Sequence, residues 1–270
     1  MKRYCVTVLT VFLVVCLGKL SAQVGAKYKI HRIVYQIHDR CAYVVSPDTY
    51  KERLLLYSGS VYVPDSIHIG QNVHYVKDIT QAFMACKHLK EVRLPSGLTY
   101  IANCAFSGCC ALQEIILPDS ITCIYRLAFL NCQSLRSIKL PANLQKIKDS
   151  AFEGCDHLKS VEIPQHVVTI EDGAFAGCTR LKRLIISQSV VSIGKYAFGG
   201  CKGLKEIYVY ATIPPAIKGE NGLPSAFDGV RKSIAVHIPQ GTKPLYLQAK
   251  EWSSFTNYID DLKESQGQDK

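Results

Sequence analysis

The stretch that decides the fold is Cys104–Pro118, CAFSGCCALQEIILP, in which Cys109 stands three residues after the pair Ala105-Phe106. The same arrangement recurs as Ala82-Phe83 with Cys86, Ala128-Phe129 with Cys132, and Ala151-Phe152 with Cys155. It recurs again as Ala174-Phe175 with Cys178 and Ala197-Phe198 with Cys201. The pairs begin at 82, 105, 128, 151, 174 and 197, a step of 23 residues each time, and a seventh, Ala226-Phe227, follows 29 residues later. A fixed period of this size is the mark of a solenoid and outranks any local reading of secondary structure.

Between the pairs the apolar residues fall in columns. Leu89, Val92 and Leu94 recur as Leu112, Ile115, Leu117 and so on to Leu204, Ile207, Val209, with Pro95, Pro118, Pro141 and Pro164 closing the first four sets. A second apolar pair, Leu98 and Ile101, recurs down to Val190 and Ile193. This is the L-x-x-L-x-L spacing of a leucine-rich repeat. Each coil places a short strand at the second and third apolar positions, where alternation sends Val92 and Leu94 inward and Glu91 and Arg93 outward. Proline cannot donate to a ladder, so it ends the strand and turns the chain. The return stretch then brings Ile101, Ala105 and Phe106 back inside.

No coil buries its apolar side alone, so stacking supplies the core. Phe106 is therefore predicted to lie against Phe83 and Phe129, and Phe83, Phe106, Phe129, Phe152, Phe175 and Phe198 form one ladder. Each buried phenylalanine contributes roughly 1.5–3 kcal/mol gross. Cys86, Cys109, Cys132, Cys155, Cys178 and Cys201 form a second ladder, because a thiol is small and behaves as an apolar group in a narrow place. The expected fold is a mostly β repeat solenoid of the α/β type. It is a right-handed leucine-rich repeat coil with a parallel sheet on one face and few short helices or 3-10 turns.

At these residues the chain closely resembles the BspA-like leucine-rich repeat proteins, whose pattern a-F-x-x-C-x-x-L-x-x-I-x-L-P-x-x-v-x-x-I runs through residues 82–209. Ser187 stands where that pattern has a proline, and Val230 where a cysteine should follow Ala226-Phe227, which suggests a looser or shifted coil toward the C-terminus. The resemblance implies exported or surface-displayed bacterial proteins, several of them regarded as adhesins for host extracellular proteins. It therefore implies a binding protein, adhesin-like, that recognises a host or extracellular protein through its sheet face. The alternative is a glycan-binding or accessory surface module.

With 270 residues, 48% hydrophobic and 20% charged, the chain can bury a sizeable core and has no composition of disorder. Lys2 and Arg3 precede an apolar run from Cys5 to Leu17, which is short of the roughly 20 residues of a membrane span. Leu20-Ser21-Ala22 follows, so residues 1–22 read as a secretory signal peptide cleaved after Ala22. A lipid-attachment box at Leu13-Val14-Val15-Cys16 is the weaker alternative, because Val15 is bulky for its place. Cleavage removes Lys2, Arg3 and Lys19 and no acid, lowering the formal charge from +10 to +7. The mature chain carries no further run of spanning length, so the expected location is secreted or cell surface. An extracellular protein or an acidic glycan is the expected partner, and nucleic acid is not. Residues 23–60, with strand-like runs flanking His38–Cys41, are read as an N-terminal β cap. Residues 61–239 are read as a solenoid of about eight coils, 240–263 as a C-terminal cap that is partly helical after Pro244, and 264–270 as a flexible tail. Val236-His237-Ile238-Pro239 is read as the last strand.

Twelve cysteines invite a metal or disulfide reading, but a period of 23 does not supply the short paired spacings of metal sites. Cys41, Cys104, Cys110 and Cys123 lie off the ladder. Cys104 and Cys123 fall at outward-looking positions of adjacent coils, and a bridge among the four stays open. The histidines form no H-E-x-x-H pair, no G-x-S-x-G elbow is present and the glycines make no phosphate loop, so no catalytic residue, metal or cofactor is expected and the chain is read as no enzyme. Two outward columns are the candidate binding residues. The sheet-centre column is Tyr62, Arg93, Ile116, Lys139, Glu162, Ile185, Tyr208 and His237, in which an exposed Ile116 and Ile185 are unusual even though β-branched residues favour strands. The second column is a basic file, Lys90, Gln113, Arg136, Lys159, Lys182 and Lys205, which reads first as a solvated rim that keeps the solenoid soluble and second as a binding surface.

Overall fold

A computed structural model of the chain describes residues 26–38, 40–47, 57–218 and 225–263. The expected signal peptide, the lipid-box alternative, the tail 264–270, Asp39 and residues 48–56 of the expected cap lie outside the described residues.

The N-terminal part is a five-stranded sheet. Strands β1 (Lys27–Ile30), β2 (Ile33–His38) and β3 (Cys41–Val44) form an antiparallel meander, with His38 opposite Cys41 as the hairpin reading required. Ile33, Tyr35 and Ile37 alternate inward along β2. Next comes β4 (Gly59–Tyr62), the first strand of the solenoid, and then β5 (Ser66–Ile69) and β6 (Asn72–Asp78). The last two make a hairpin turned at Gly70-Gln71, where Gly70 has φ +61°. Strand β6 then pairs in parallel with β3, so the insertion after the first coil completes the cap sheet, in the order β1-β2-β3-β6-β5.

The solenoid continues through β7 (Leu89–Arg93), β8 (Tyr100–Ile101), β9 (Glu114–Ile116), β10 (Cys123–Ile124), β11 (Lys146–Ile147), β12 (Ser160–Ile163) and β13 (Thr169–Ile170). It ends with β14 (Arg183–Ile186), β15 (Ser192–Ile193), β16 (Glu206–Val209), β17 (Ala216–Ile217), β18 (Ala235–Pro239), helix α1 (Lys243–Gln248) and β19 (Asn257–Leu262). The strands of the L-x-L positions pair in parallel in two segments, β4-β7-β9 and β12-β14-β16-β18-β19. The return stretch is more ordered than its pattern announced. Its two-residue strands form a second parallel sheet, β8-β10-β11-β13-β15-β17, because backbone groups carried inside the stack must find partners in the neighbouring coil.

The Ala-Phe turns are bonded between coils as well. Phe106, Phe129, Phe152 and Phe175 each donate their N–H to the Ala carbonyl of the following coil at 2.7–2.8 Å. Two columns of left-handed residues shape these turns: Gln81, Cys104, Leu127, Ser150, Gly173 and Tyr196 before the pair, and Ala85, Gly108, Asn131, Gly154, Gly177 and Gly200 after it. The six phenylalanines of the expected ladder stack, and Phe227 continues the stack beyond them, with ring centroids 5.0–5.4 Å apart and planes within 11°. One hydrophobic core runs from Ile33 in the cap to Tyr258 at the far end.

Both ends of the stack are covered by aromatics. Tyr57 lies tilted on Phe83 at 4.9 Å, while its hydroxyl donates to Val45 O and accepts from Val34 N. At the other end Trp252 and Phe255 close on Phe227, and Trp252 Nε1 donates to Pro215 O at 2.8 Å. Helix α1 begins with Pro244 in its first turn, where a missing N–H costs nothing. The last strand is β19, not the stretch 236–239: β19 pairs in parallel with β18 and forms the sheet edge. The looser coil expected at Ser187 is also corrected. Buried Ser187 donates its hydroxyl to Pro164 O at 3.0 Å and meets Ser189 Oγ at 3.1 Å, and β14 and β16 keep unbroken register around it. The 29-residue step is taken up after β16, and Val230 is buried where the next thiol would be.

Candidate binding face

The sheet-centre column is real as geometry but interrupted. Tyr62, Arg93 and Ile116 are register partners in one segment, and Glu162, Ile185, Tyr208 and His237 in the other. Lys139 lies between them in a coil whose residues 137–140 belong to no strand, and there the ladder breaks. The two isoleucines differ. Ile116 is 81% exposed, flanked by the exposed Arg93 and Lys139. Ile185 is half-buried between Glu162 and Tyr208, which corrects the expectation of an exposed side chain there.

Around these columns the face has two constellations. In the first segment the Arg93 guanidinium lies 5.4 Å from the ring centre of exposed Tyr62. In the second, Arg183 lies 4.5 Å over one face of Tyr208 while His237 stacks on it at 4.2 Å, with ring planes 5° apart. His237 Nδ1 is in turn 3.1 Å from both Asp261 carboxylate oxygens. Tyr208 thus has no free ring face, and Asp261 on β19 ties the edge strand to the sheet. Arg183 and Asp261 were not among the sequence candidates, since neither falls in the sheet-centre column and their roles depend on side-chain direction. At the break in the ladder a groove of about 650 Å³ opens, with Lys139, Ser160, Glu162, His166, Ile185 and Tyr210 among its walls. Nothing in the repeat pattern marks it, because Ser137-Ile138-Lys139-Leu140 carries the same apolar spacing as every other coil.

The basic file is held by the backbone. Arg136 N donates to Gln113 O, Lys159 N to Arg136 O, Lys182 N to Lys159 O and Lys205 N to Lys182 O, at 2.8–3.2 Å. Gln113 N likewise donates to Lys90 O at 2.9 Å, so the column starts at Lys90. All six side chains are exposed.

A family model described as the BspA type leucine-rich repeat region, in six copies, matches residues 64–182 and 103–217. The chain belongs to the BspA-type leucine-rich repeat family. Among solved structures, it is similar to the T. pallidum leucine-rich repeat protein TpLRR, with 28% identity and a TM-score of 0.54 over 65% of this chain and 80% of that one. A leucine-rich repeat protein from Bacteroides ovatus aligns at 21% identity and TM-score 0.41 over 87% of this chain and 76% of that one. No curated protein matches the chain.

The thiols of this BspA-type solenoid do more than fill space. Cys109, Cys132, Cys155, Cys178 and Cys201 each donate to the carbonyl of the phenylalanine one coil earlier, Phe83, Phe106, Phe129, Phe152 and Phe175, at 3.0–3.3 Å. A donor that is also nearly apolar suits a carbonyl buried beside a ring stack. None of the ten described cysteines is in a disulfide, Cys41, Cys104, Cys110 and Cys123 included. Cys123 is not outward-looking, since it is only 7% exposed. It sits between its register partners Tyr100 and Lys146 in the second sheet, and burial pushes its thiol pKa up. Among the described residues no group of three or more His, Cys, Asp or Glu is placed to hold a metal ion, and no helix is long and apolar enough to cross a membrane.

Proposed function

We propose that the chain is an exported, surface-displayed binding module, adhesin-like, that recognises an extracellular protein through the outward face of its sheet. The observation that carries this reading is Ile116: an isoleucine 81% exposed at the centre of a sheet, between two cations and one coil from the Arg93–Tyr62 pair. A solenoid needs only polar groups there, and an apolar side chain with aromatic and arginine neighbours is the composition of a protein-contact centre. The neighbouring groove gives the same face relief. Membership of a family of bacterial surface proteins supports an extracellular site of action, as does the leader-like pattern of residues 1–22. Division into a β cap, a solenoid and a C-terminal cap suits such a role, because rigid stacked coils present a long preformed surface.

The test is surface plasmon resonance of the chain against immobilised extracellular matrix and plasma proteins at physiological salt, with Ile116→Glu and Tyr62→Ala run beside it. Saturable binding that weakens at least about tenfold in both variants, with unchanged thermal unfolding, is the expected result. Binding that ignores both substitutions would move the site off this face. An absence of binding to the whole panel would remove the protein-adhesin reading.

A further inference from the structure

We propose that the basic file is a second, separate site, a linear track for a sulfated polysaccharide, centred on Arg136, Lys159, Lys182 and Lys205 and widened by Arg180 and Arg183. It does not rest on the sheet-face reading above. The direct backbone bonds from each of these residues to the one a coil earlier fix their spacing at the strand separation of roughly 4.8 Å, so four cations run unbroken over roughly 14 Å. The order of the file is therefore a property of the backbone, while the side chains stay exposed.

Two features separate this from an ordinary solvated rim. A rim intersperses both signs, and like charges in adjacent rungs repel. Here none of the six residues forms an ion pair among the described residues. The acids in the column beside the file lie at its ends: Glu91 and Glu114 follow Lys90 and Gln113, and Glu206, register partner to Arg183, accepts from the Tyr208 hydroxyl at 3.3 Å. Four adjacent cations without counter-charges are unfavourable for the fold itself and raise the local concentration of a polyanion.

The chemistry of the surroundings selects the class of polyanion. The column beside the file offers Ser137 and Ser160, hydrogen-bonding groups suited to sugar hydroxyls and sulfate oxygens. Guanidinium forks at Arg136, Arg180 and Arg183 match an oxyanion better than a point charge does. Single-stranded nucleic acid needs aromatic platforms, and Tyr208, three residues after Lys205, has both faces occupied by Arg183 and His237. An acidic protein would be anchored by apolar contacts, which the file lacks.

The experiment is isothermal titration of the full chain with a size-defined heparin octasaccharide between 50 and 300 mM NaCl. A carboxylate-only hyaluronan octasaccharide, polyglutamate and oligo-dT of similar charge run in parallel. Saturable binding of the sulfated octasaccharide is expected, with log K falling against log salt by about one unit per cation engaged. Lys159→Gln/Lys182→Gln should lower affinity at 100 mM salt roughly tenfold and reduce the slope by about two, whereas Lys146→Gln on the second sheet should change neither. Both variants are surface neutralisations, and matching thermal unfolding curves would show that the fold is kept. No binding at 50 mM salt, equal losses in the two variants, or tighter binding of polyglutamate, hyaluronan or oligo-dT would each overturn the assignment.

Discussion

Lys232 donates its ammonium group to the carbonyl oxygen of Phe227 at 3.0 Å, at the end of the column where the thiol of the next coil serves each carbonyl from Phe83 to Phe175. Beyond Phe227 the stack is closed by Trp252 and Phe255 rather than by another Ala-Phe-x-x-Cys turn, and a lysine from the loop before β18 meets this carbonyl in place of a thiol. Burial pushes the Lys232 pKa down, so holding a charge there is costly and the contacts must offset it. They include Phe255, whose ring centre lies 4.7 Å from Nζ. Lys232→Ala removes the bond and the stem packing together and should cost roughly 1–3 kcal/mol. Lys232→Met keeps the packing and should recover part of it. Urea midpoints rank the variants, and amide exchange should localise the loss to residues 225–230. Exchange that rises evenly along the solenoid would contradict a capping role.

The phenylalanine stack should behave as a nearest-neighbour system. Phe152 is fully buried between Phe129 and Phe175, with centroids 5.1 and 5.0 Å away. Phe152→Ala should cost about 3–5 kcal/mol, and Phe152→Leu clearly less because the cavity is smaller. The double variant Phe129→Ala/Phe152→Ala should cost less than the sum of its parts, since one ring contact is removed by both. Strict additivity in a double-mutant cycle would show that the rings pack independently of one another.

What was readable from the sequence follows from which physical demands have a residue signature. The 23-residue step was legible because stacking forces the same volume into the same place, so Phe, Cys and Leu repeat in columns. The left-handed turn before each ladder cysteine was legible in principle through Gly108, Asn131, Gly154, Gly177 and Gly200. Its companion column was not, since Gln81, Cys104, Leu127, Ser150 and Tyr196 adopt positive φ under the pull of the stack rather than by preference. Two-residue strands such as β11 and β13 are too short to show alternation, so the second sheet was invisible. The break at Lys139 left no trace because its coil has an ordinary pattern, and the candidate face was therefore read as one column where the structure has two. The burial of Cys123 depends on the side chains packed around it, which spacing does not encode.

The ladder thiols make stability sensitive to alkali. Burial pushes the thiols of Cys109, Cys132 and Cys155 well above their ordinary 9.0, and for Cys178 the neighbouring Cys201 thiol acts first and burial second. In the unfolded chain these groups ionise near 9.0, while the folded chain keeps their protons. The folded state thus binds more protons above that pH, and stability is whole below it and falls as pH rises. Four such thiols lower it by roughly 5 kcal/mol per pH unit once the unfolded thiols are ionised. Urea midpoints should be flat from pH 7 to 8 and drop steeply between 9.5 and 10.5. Site-resolved alkylation of the native chain should modify half-exposed Cys41, Cys104 and Cys110 and spare Cys123 and the six ladder thiols. Native labelling of Cys132 or Cys155 would show that the stack opens locally and that the thiols are not held as described.

Ala85 occupies the left-handed column in which four of the next five coils carry glycine, with φ +58°, and its N–H donates to Ser107 O at 2.6 Å. An L-residue in that conformation costs roughly 1–2 kcal/mol, while glycine costs about 0.5–1 in lost freedom on folding. Ala85→Gly should therefore stabilise the chain by roughly 0.5–1 kcal/mol, an uncommon direction for removing a methyl group. Gly177→Ala is the reverse experiment. A Cβ built there finds nothing nearer than 3.8 Å, so the substitution introduces no clash and its expected cost of roughly 1 kcal/mol reports the backbone conformation alone. Opposite shifts in the urea midpoint for the two variants would establish that this column is conformationally strained wherever glycine is missing. A loss of stability in Ala85→Gly would mean that the Ala85 methyl group contributes more by packing than its backbone conformation costs.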